Sequence, residues 1–175
     1  MKVKILLALI GLFLNSGVGT QASAADKPLY DESGNGQAII AAAVKQAADE
    51  EKKVLIMWGG NTCRWCHLLH RLFESEEDIN AYLESNYVSI TIDAQSNMDL
   101  MKEMKIKNRR TTPFLTVLDK TGLKIRDENP ESMENGTGHD PKLVLAFLKK
   151  YSAKSGQGES SKKEKRPRRS GRKTR

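Results

Sequence analysis

The sequence predicts an α/β fold in which a mixed central sheet carries helices on both faces. Three observations lead there. Apolar residues at helical spacing alternate with short strand-like runs through the middle of the 175-residue chain. Two of those runs, residues 54–58 and 87–93, are each preceded and followed by helical patterns. Two more follow one another around Lys120-Thr121-Gly122, which reads as a turn between neighbouring strands.

Taken in order, QAIIAAAVKQAADEEKK from Gln37 to Lys53 spaces Ile40, Val44 and Ala47 or Ala48 three and four residues apart, an amphipathic helix. VLIMW, Val54 to Trp58, is a continuous apolar run stopped by Gly59-Gly60, as a strand buried on both faces would be. Thr62 is expected to cap the next helix, whose first turn holds Cys63 and Cys66 and which continues through Leu68, Leu69 and Leu72 to about Phe73. Ser75-Glu76-Glu77-Asp78 reads as a capping box that opens a further helical stretch to about Glu84. YVSITID, Tyr87 to Asp93, alternates so that Val88, Ile90 and Ile92 share a face, which predicts a strand. MDLMKEMKI suggests a helix with Leu100, Met101 and Met104 in the core. TTPFLTVLDKTGLKIRDE then supplies the two strands of the turn. After a loop rich in Gly and Asn, Asp140 caps and Pro141 starts a last helix, PKLVLAFLKKY.

The ends have a different character. MKVKILLALIGLFLNSGVGTQASAAD has basic residues at Lys2 and Lys4, an apolar run from Ile5 to Leu14 and small residues at Ala22, Ala24 and Ala25. That is the layout of a secretory signal peptide cleaved after Ala24 or Ala25, with an apolar run short of the about 20 residues a membrane span needs. The expectation is a soluble, exported protein, periplasmic or extracellular, with a signal at 1–25 and an extension at 26–36. From Lys154 to Arg175, ten Lys or Arg stand against two Glu, a formal +8, while the whole chain carries +7. Everything before the tail therefore sums to −1. With no large apolar side chain the tail is expected to be disordered. Its charge suits contact with an anionic surface, and nucleic acid is the least suitable partner for an exported chain. The segment between, 37–153, is one domain's worth of residues.

The chemistry concentrates in NTCRWCHLLH, residues 61–70, which contains both cysteines of the chain and two of its three histidines. C-x-x-C is a redox dithiol, and C-x-x-C-H is also the attachment sequence for c-type haem. Cysteines three apart enclose almost no loop, so they cannot staple a fold, and a chemical role is expected. A dithiol at the start of a helix reached from a buried strand places a thiolate where the helix dipole and unpaired N–H groups stabilise it. That position favours redox chemistry. The haem alternative would use Cys63, Cys66 and His67 with Met133 or His139 as second axial ligand. Zinc held by the cysteines with His67 and His70 lacks a second Cys pair, and Met98 to Met104 reads as helix packing before it reads as a copper site.

CRWC after VLIMWGGNT, the strand YVSITID, and Thr112-Pro113 leading into FLTVLDKTG together resemble the thioredoxin-like superfamily over about Gln37 to Tyr151. Within it, TCRWCHLLHRLFES followed by INAYLESNYVSITID resembles the branch with C-x-W-C-H motifs, which includes the anterior-gradient-type proteins. The resemblance implies a thioredoxin-like three-layer sandwich and a thiol–disulfide oxidoreductase that needs no cofactor and no metal. Its partners would be protein thiols and disulfides and a redox partner protein. Cys63 would be the nucleophile and Cys66 the resolving cysteine. Pro113 would form a cis peptide after Thr112, beside backbone able to pair with an extended substrate, and Trp65 could add an apolar contact for client chains.

Two departures from thioredoxins stand out. Met57 occupies the position, six before the first cysteine, where they carry a buried acid. Arg64-Trp65 stands between the cysteines in place of Gly-Pro, so Arg64 should favour the Cys63 thiolate and raise the reduction potential. His67, on the same helical face as Cys63, acts likewise if protonated, and is otherwise merely solvated. A non-enzymatic thioredoxin-like binding module is the remaining alternative.

Overall fold

The structure is a computed structural model that describes residues 28–106 and 111–152. The expected leader and the basic tail both lie outside the described residues.

Helix α1 (Gly36–Asp49) leads into β1 (Lys53–Gly59), and α2 (Arg64–Ser75) and α3 (Glu77–Asn86) carry the chain to β2 (Tyr87–Asp93). A short α4 (Met98–Glu103) precedes the strands β3 (Phe114–Leu118) and β4 (Lys124–Glu128), and α5 (Pro141–Tyr151) closes the fold. The sheet order is β2-β1-β3-β4. β1 runs parallel to β2, with Gly59 opposite Asp93, and antiparallel to β3, with Trp58 opposite Phe114. The sheet is therefore mixed, and β1 is interior.

That interior place explains the unbroken apolar run VLIMW. Val54, Ile56 and Trp58 point into one core layer with Ala43 and Ala47 of α1 and Met101 of α4. Leu55 and Met57 point the other way, toward Leu69 and Phe73 of α2 and Val144, Phe147 and Leu148 of α5. Helices thus cover both faces, giving the three-layer sandwich. Val88, Ile90 and Ile92 of β2 share the α1 side, as their alternation predicts. The one polar group that Trp58 buries is satisfied: its Nε1 donates to Thr116 Oγ1 at 3.1 Å, and that hydroxyl donates to Asp127 Oδ1 at 2.9 Å.

Three local expectations need correcting. Thr62 is exposed and does not cap α2; the cap is Cys63, whose backbone is extended and whose Sγ accepts from Cys66 N at 3.2 Å. Sulfur takes the place of the hydroxyl because the motif itself sits on the cap. Ser75 is the last residue of α2, and α3 begins after Glu76 with no side-chain cap, so 75–78 is no capping box. α2 runs two residues beyond the expected end at about Phe73, whose ring is buried. Finally, the Gly- and Asn-rich loop has structure of its own. Asn129 caps a 3-10 turn at Pro130–Met133, and Glu134–Asn135 (β5) pairs antiparallel with Gly138–His139 (β6). Two-residue strands leave no periodicity to read.

The core also reaches back before Gln37. Tyr30 is fully buried and packs with α2, and Thr91 Oγ1 of β2 donates to the Leu29 carbonyl at 2.7 Å. Asp140 caps α5 as expected, accepting from Lys142 N and Leu143 N at 2.8 and 3.2 Å. Among the described residues no helix is long and apolar enough to cross a membrane.

Candidate active site

β1 delivers the chain to the cysteines through two glycines. A side chain on Gly59 would collide with Cys66 Sγ and with the Tyr30 ring, so only glycine lets the strand end lie beneath the motif. Cys63 N donates to Gly60 O at 3.0 Å, which folds the loop back and starts α2. Cys63 and Cys66 are joined as a disulfide with their Cα atoms 5.3 Å apart. Their environments differ. Cys63 is half-buried at the helix start, while Cys66, inside the first turn, has no exposed surface. Only the first can be reached by a partner sulfur.

Around this pair, Arg64 is exposed and Trp65 is half-buried, its indole packed edge-on to the His139 ring at 5.4 Å. His139 is buried with both ring nitrogens unpartnered, and desolvation pushes its pKa below the usual histidine value. It is neutral at pH 7. His67 turns back to the loop, with Nε2 2.7 Å from the Asn61 carbonyl oxygen. A carbonyl can only accept, so Nε2 carries the proton. His70 lies apart, its Nδ1 3.3 Å from Glu74 Oε2.

The Thr112–Pro113 peptide is cis. Because Phe114 pairs with Trp58, continuing the antiparallel register by one residue sets Pro113 level with Gly59, at the end of β1 from which the motif loop leaves. Pro113 is buried and Thr112 half-buried. The sheet thereby brings two segments about 50 residues apart to one edge of the site.

Three contributors were not singled out from the sequence. Asn61 clasps Tyr30: its Oδ1 accepts from Tyr30 N at 2.9 Å and its Nδ2 donates to Tyr30 O at 3.0 Å. Tyr30 Oη is fully buried without a hydrogen-bond partner, and burial, with the nearby Asp93 charge, raises its pKa far above the usual tyrosine value. Asp93, at the end of β2, is buried beside Gly60 with its Oδ1 accepting from Ser96 N at 2.7 Å. The available signals were a lone aromatic in PLYDESGNG and an Asn two residues before the first cysteine. Neither has a periodicity.

The haem alternative fails on this geometry. Thioether attachment needs both sulfurs open to one cleft and the histidine aimed at iron, whereas Cys66 is sealed in the core and His67 Nε2 is held by Asn61. Of the proposed axial ligands, Met133 and His139 are themselves buried, 5% and 7% exposed. A cleft of about 600 Å³, lined in part by Leu29, Met57, Phe73 and Tyr87, lies along β2 and includes neither cysteine.

Residues 35–117 match the family Thioredox_DsbH, described as "Protein of unknown function, DUF255". Spermatogenesis-associated protein 20 of Rattus norvegicus is 32% identical over 60 residues, 34% of this chain but 8% of that protein. The human protein of the same name is 30% identical over 60 residues, with the same shares. The chain therefore spans only a small part of these relatives. Among solved structures, the disulphide isomerase from Xylella fastidiosa Temecula1 superposes with a TM-score of 0.60 at 18% identity, over 72% of this chain and 98% of that one. With the strand order, the paired cysteines and this superposition in hand, the chain has a thioredoxin-like fold, and its match to the Thioredox_DsbH model takes in the segment that carries the two cysteines.

Proposed function

We propose that this protein is an exported thiol–disulfide oxidoreductase that exchanges disulfides with protein substrates through Cys63 and Cys66. The single observation that carries the reading is the asymmetry of the pair, a reachable sulfur at a helix start bonded to one sealed beneath it. In the reducing direction, the Cys63 thiolate attacks a client disulfide, forms the mixed disulfide and releases one client thiolate, which takes a proton from water. Cys66 then attacks Cys63 Sγ as a thiolate; the Cys63–Cys66 bond forms and the second client sulfur leaves with the electron pair. Two electrons pass to the client, and a partner dithiol restores the pair. The oxidising direction is the reverse.

The other residues have supporting roles in this reading. Thr112 and Pro113 offer backbone beside the motif for an extended substrate strand, and Trp65 supplies an apolar contact. Arg64 favours the Cys63 thiolate, and the leader-like Met1–Ala25 supports export.

Insulin-type disulfide reduction is the test. Wild type should reduce the substrate and Cys63→Ser should not. Equal activity in the two would leave a binding module as the better reading. The potential of the pair assigns the direction: a value near about −270 mV favours client reduction and one near about −120 mV favours disulfide formation.

A further inference from the structure

We propose that Tyr30 is the hydrogen-bond donor that stabilises the Cys66 thiolate when the disulfide opens. The inference rests on the thiol chemistry above and adds a residue from outside the motif.

Whenever an incoming thiolate attacks Cys63 Sγ, a new S–S bond forms there, the Cys63–Cys66 bond breaks and its electron pair departs on Cys66 Sγ. Resolution of a mixed disulfide needs the same Cys66 thiolate as nucleophile. In either direction a negative charge appears on a sulfur with no exposed surface, where an unpaired charge is costly. Met57 offers it nothing. Asp93 opposes it, exposed Arg64 lies toward solvent, and the His67 Nε2 proton is engaged by Asn61.

Among the described residues, the Tyr30 hydroxyl is the group left over. Tyr30 Cζ and Cys66 Sγ each lie 2.6 Å from the point a Cβ on Gly59 would occupy, so the two atoms are no more than twice that, 5.2 Å, apart. The hydroxyl beyond Cζ crowds the same point. It is buried and has no partner while the disulfide is closed. An orphaned buried hydroxyl costs about 1–3 kcal/mol, which is a reason to expect it to serve another state. Desolvation and Asp93 keep it protonated, so it can act only as donor toward a thiolate. The segment that bears it is held by Asn61 of the motif loop and by Thr91 of β2, which fixes the phenol without using its Oη.

The isosteric Tyr30→Phe in the full chain tests this. In a Cys63→Ser background, thiolate absorbance against pH should show the Cys66 pKa raised by about one unit when the hydroxyl is removed. With both cysteines present, resolution of a glutathione mixed disulfide on Cys63 should slow about tenfold, while the melting temperature of the disulfide form stays level or rises. An unshifted Cys66 pKa in a variant whose disulfide form melts normally overturns the proposal. Should Tyr30→Phe fail to fold, the carbon-labelled Tyr30 ring of the wild type is followed by NMR. Its Cζ shift should move as Cys66 ionises in the reduced protein, and constancy through that titration overturns the proposal equally. Cys63-dependent insulin reduction with an unshifted Cys66 pKa would remove this inference alone. A shifted pKa in a protein that reduces no disulfide would remove the function alone.

Discussion

The indole of Trp65 meets the imidazole of His139 edge-on, with ring centroids 5.4 Å apart and planes at 87°. The contact ties the first turn of α2 to the β5–β6 hairpin, so one of the two residues between the cysteines is held by a loop more than 70 positions away. The His139 ring is neutral because burial disfavours its charged form.

That burial makes stability depend on pH. An unfolded histidine titrates near about 6.5, and in the folded protein the value is lower, so the unfolded state binds the extra proton first. The contribution of neutral His139 is complete above that unfolded value and is lost as pH falls from it toward the lowered folded value. Denaturant midpoints at pH 7.5 and pH 5, chosen as points about one unit or more either side, should diverge in wild type. The divergence should shrink in His139→Phe. Parallel curves would show that the ring is not desolvated.

Cys66→Ser should accumulate mixed disulfides through Cys63, because attack survives while resolution is lost. Non-reducing electrophoresis after exposure to a client disulfide reads the adducts. Cys63→Ser should give few, since Cys66 has no exposed surface. Equal trapping by both variants would reverse the assignment of roles.

Arg64→Glu should raise the Cys63 pKa and make the pair more reducing, since a guanidinium beside the sulfur stabilises the thiolate more than the neutral disulfide. Arg64 is exposed, so solvent screening should hold the shift to about one unit or less. Thiolate absorbance and equilibrium with glutathione, at low and high salt, report both quantities. No change at low salt would make Arg64 a bystander.

Thr116→Val leaves the Trp58 indole N–H buried without its acceptor and also strips Asp127 Oδ1 of a donor. The expected loss is about 1–3 kcal/mol, read as a lower denaturant midpoint with an unchanged slope. A loss below about 0.5 kcal/mol would mean that the indole finds another partner.

Periodicity and end signals by themselves determined the α/β class, the order of the main helices and strands, and the place of the dithiol at the head of a helix. The run VLIMW announces a strand covered on both sides because burial on two faces removes any need for polar alternation. Tyr87–Asp93 came out with its observed bounds because one of its faces is uniformly apolar. Cys63 and Cys66 were legible because their spacing and the strand and helix around them form a local pattern, while the cis peptide at Pro113 was what the resemblance to the thioredoxin-like superfamily implied.

What only the tertiary structure decided has no such pattern. Tyr30, Asp93 and His139 come to the motif loop and the first turn of α2 from distant segments, and a hydrogen bond or ring contact at long separation leaves no trace in local spacing. The cap of α2 went to Cys63 instead of Thr62 for a related reason: either side chain can accept from a helix N–H, and the packing of Gly59 under Cys66 selects which one stands there. Sequence names the paired sulfurs because their spacing is local. The groups packed around them are chosen by burial, which exists only once the chain has folded.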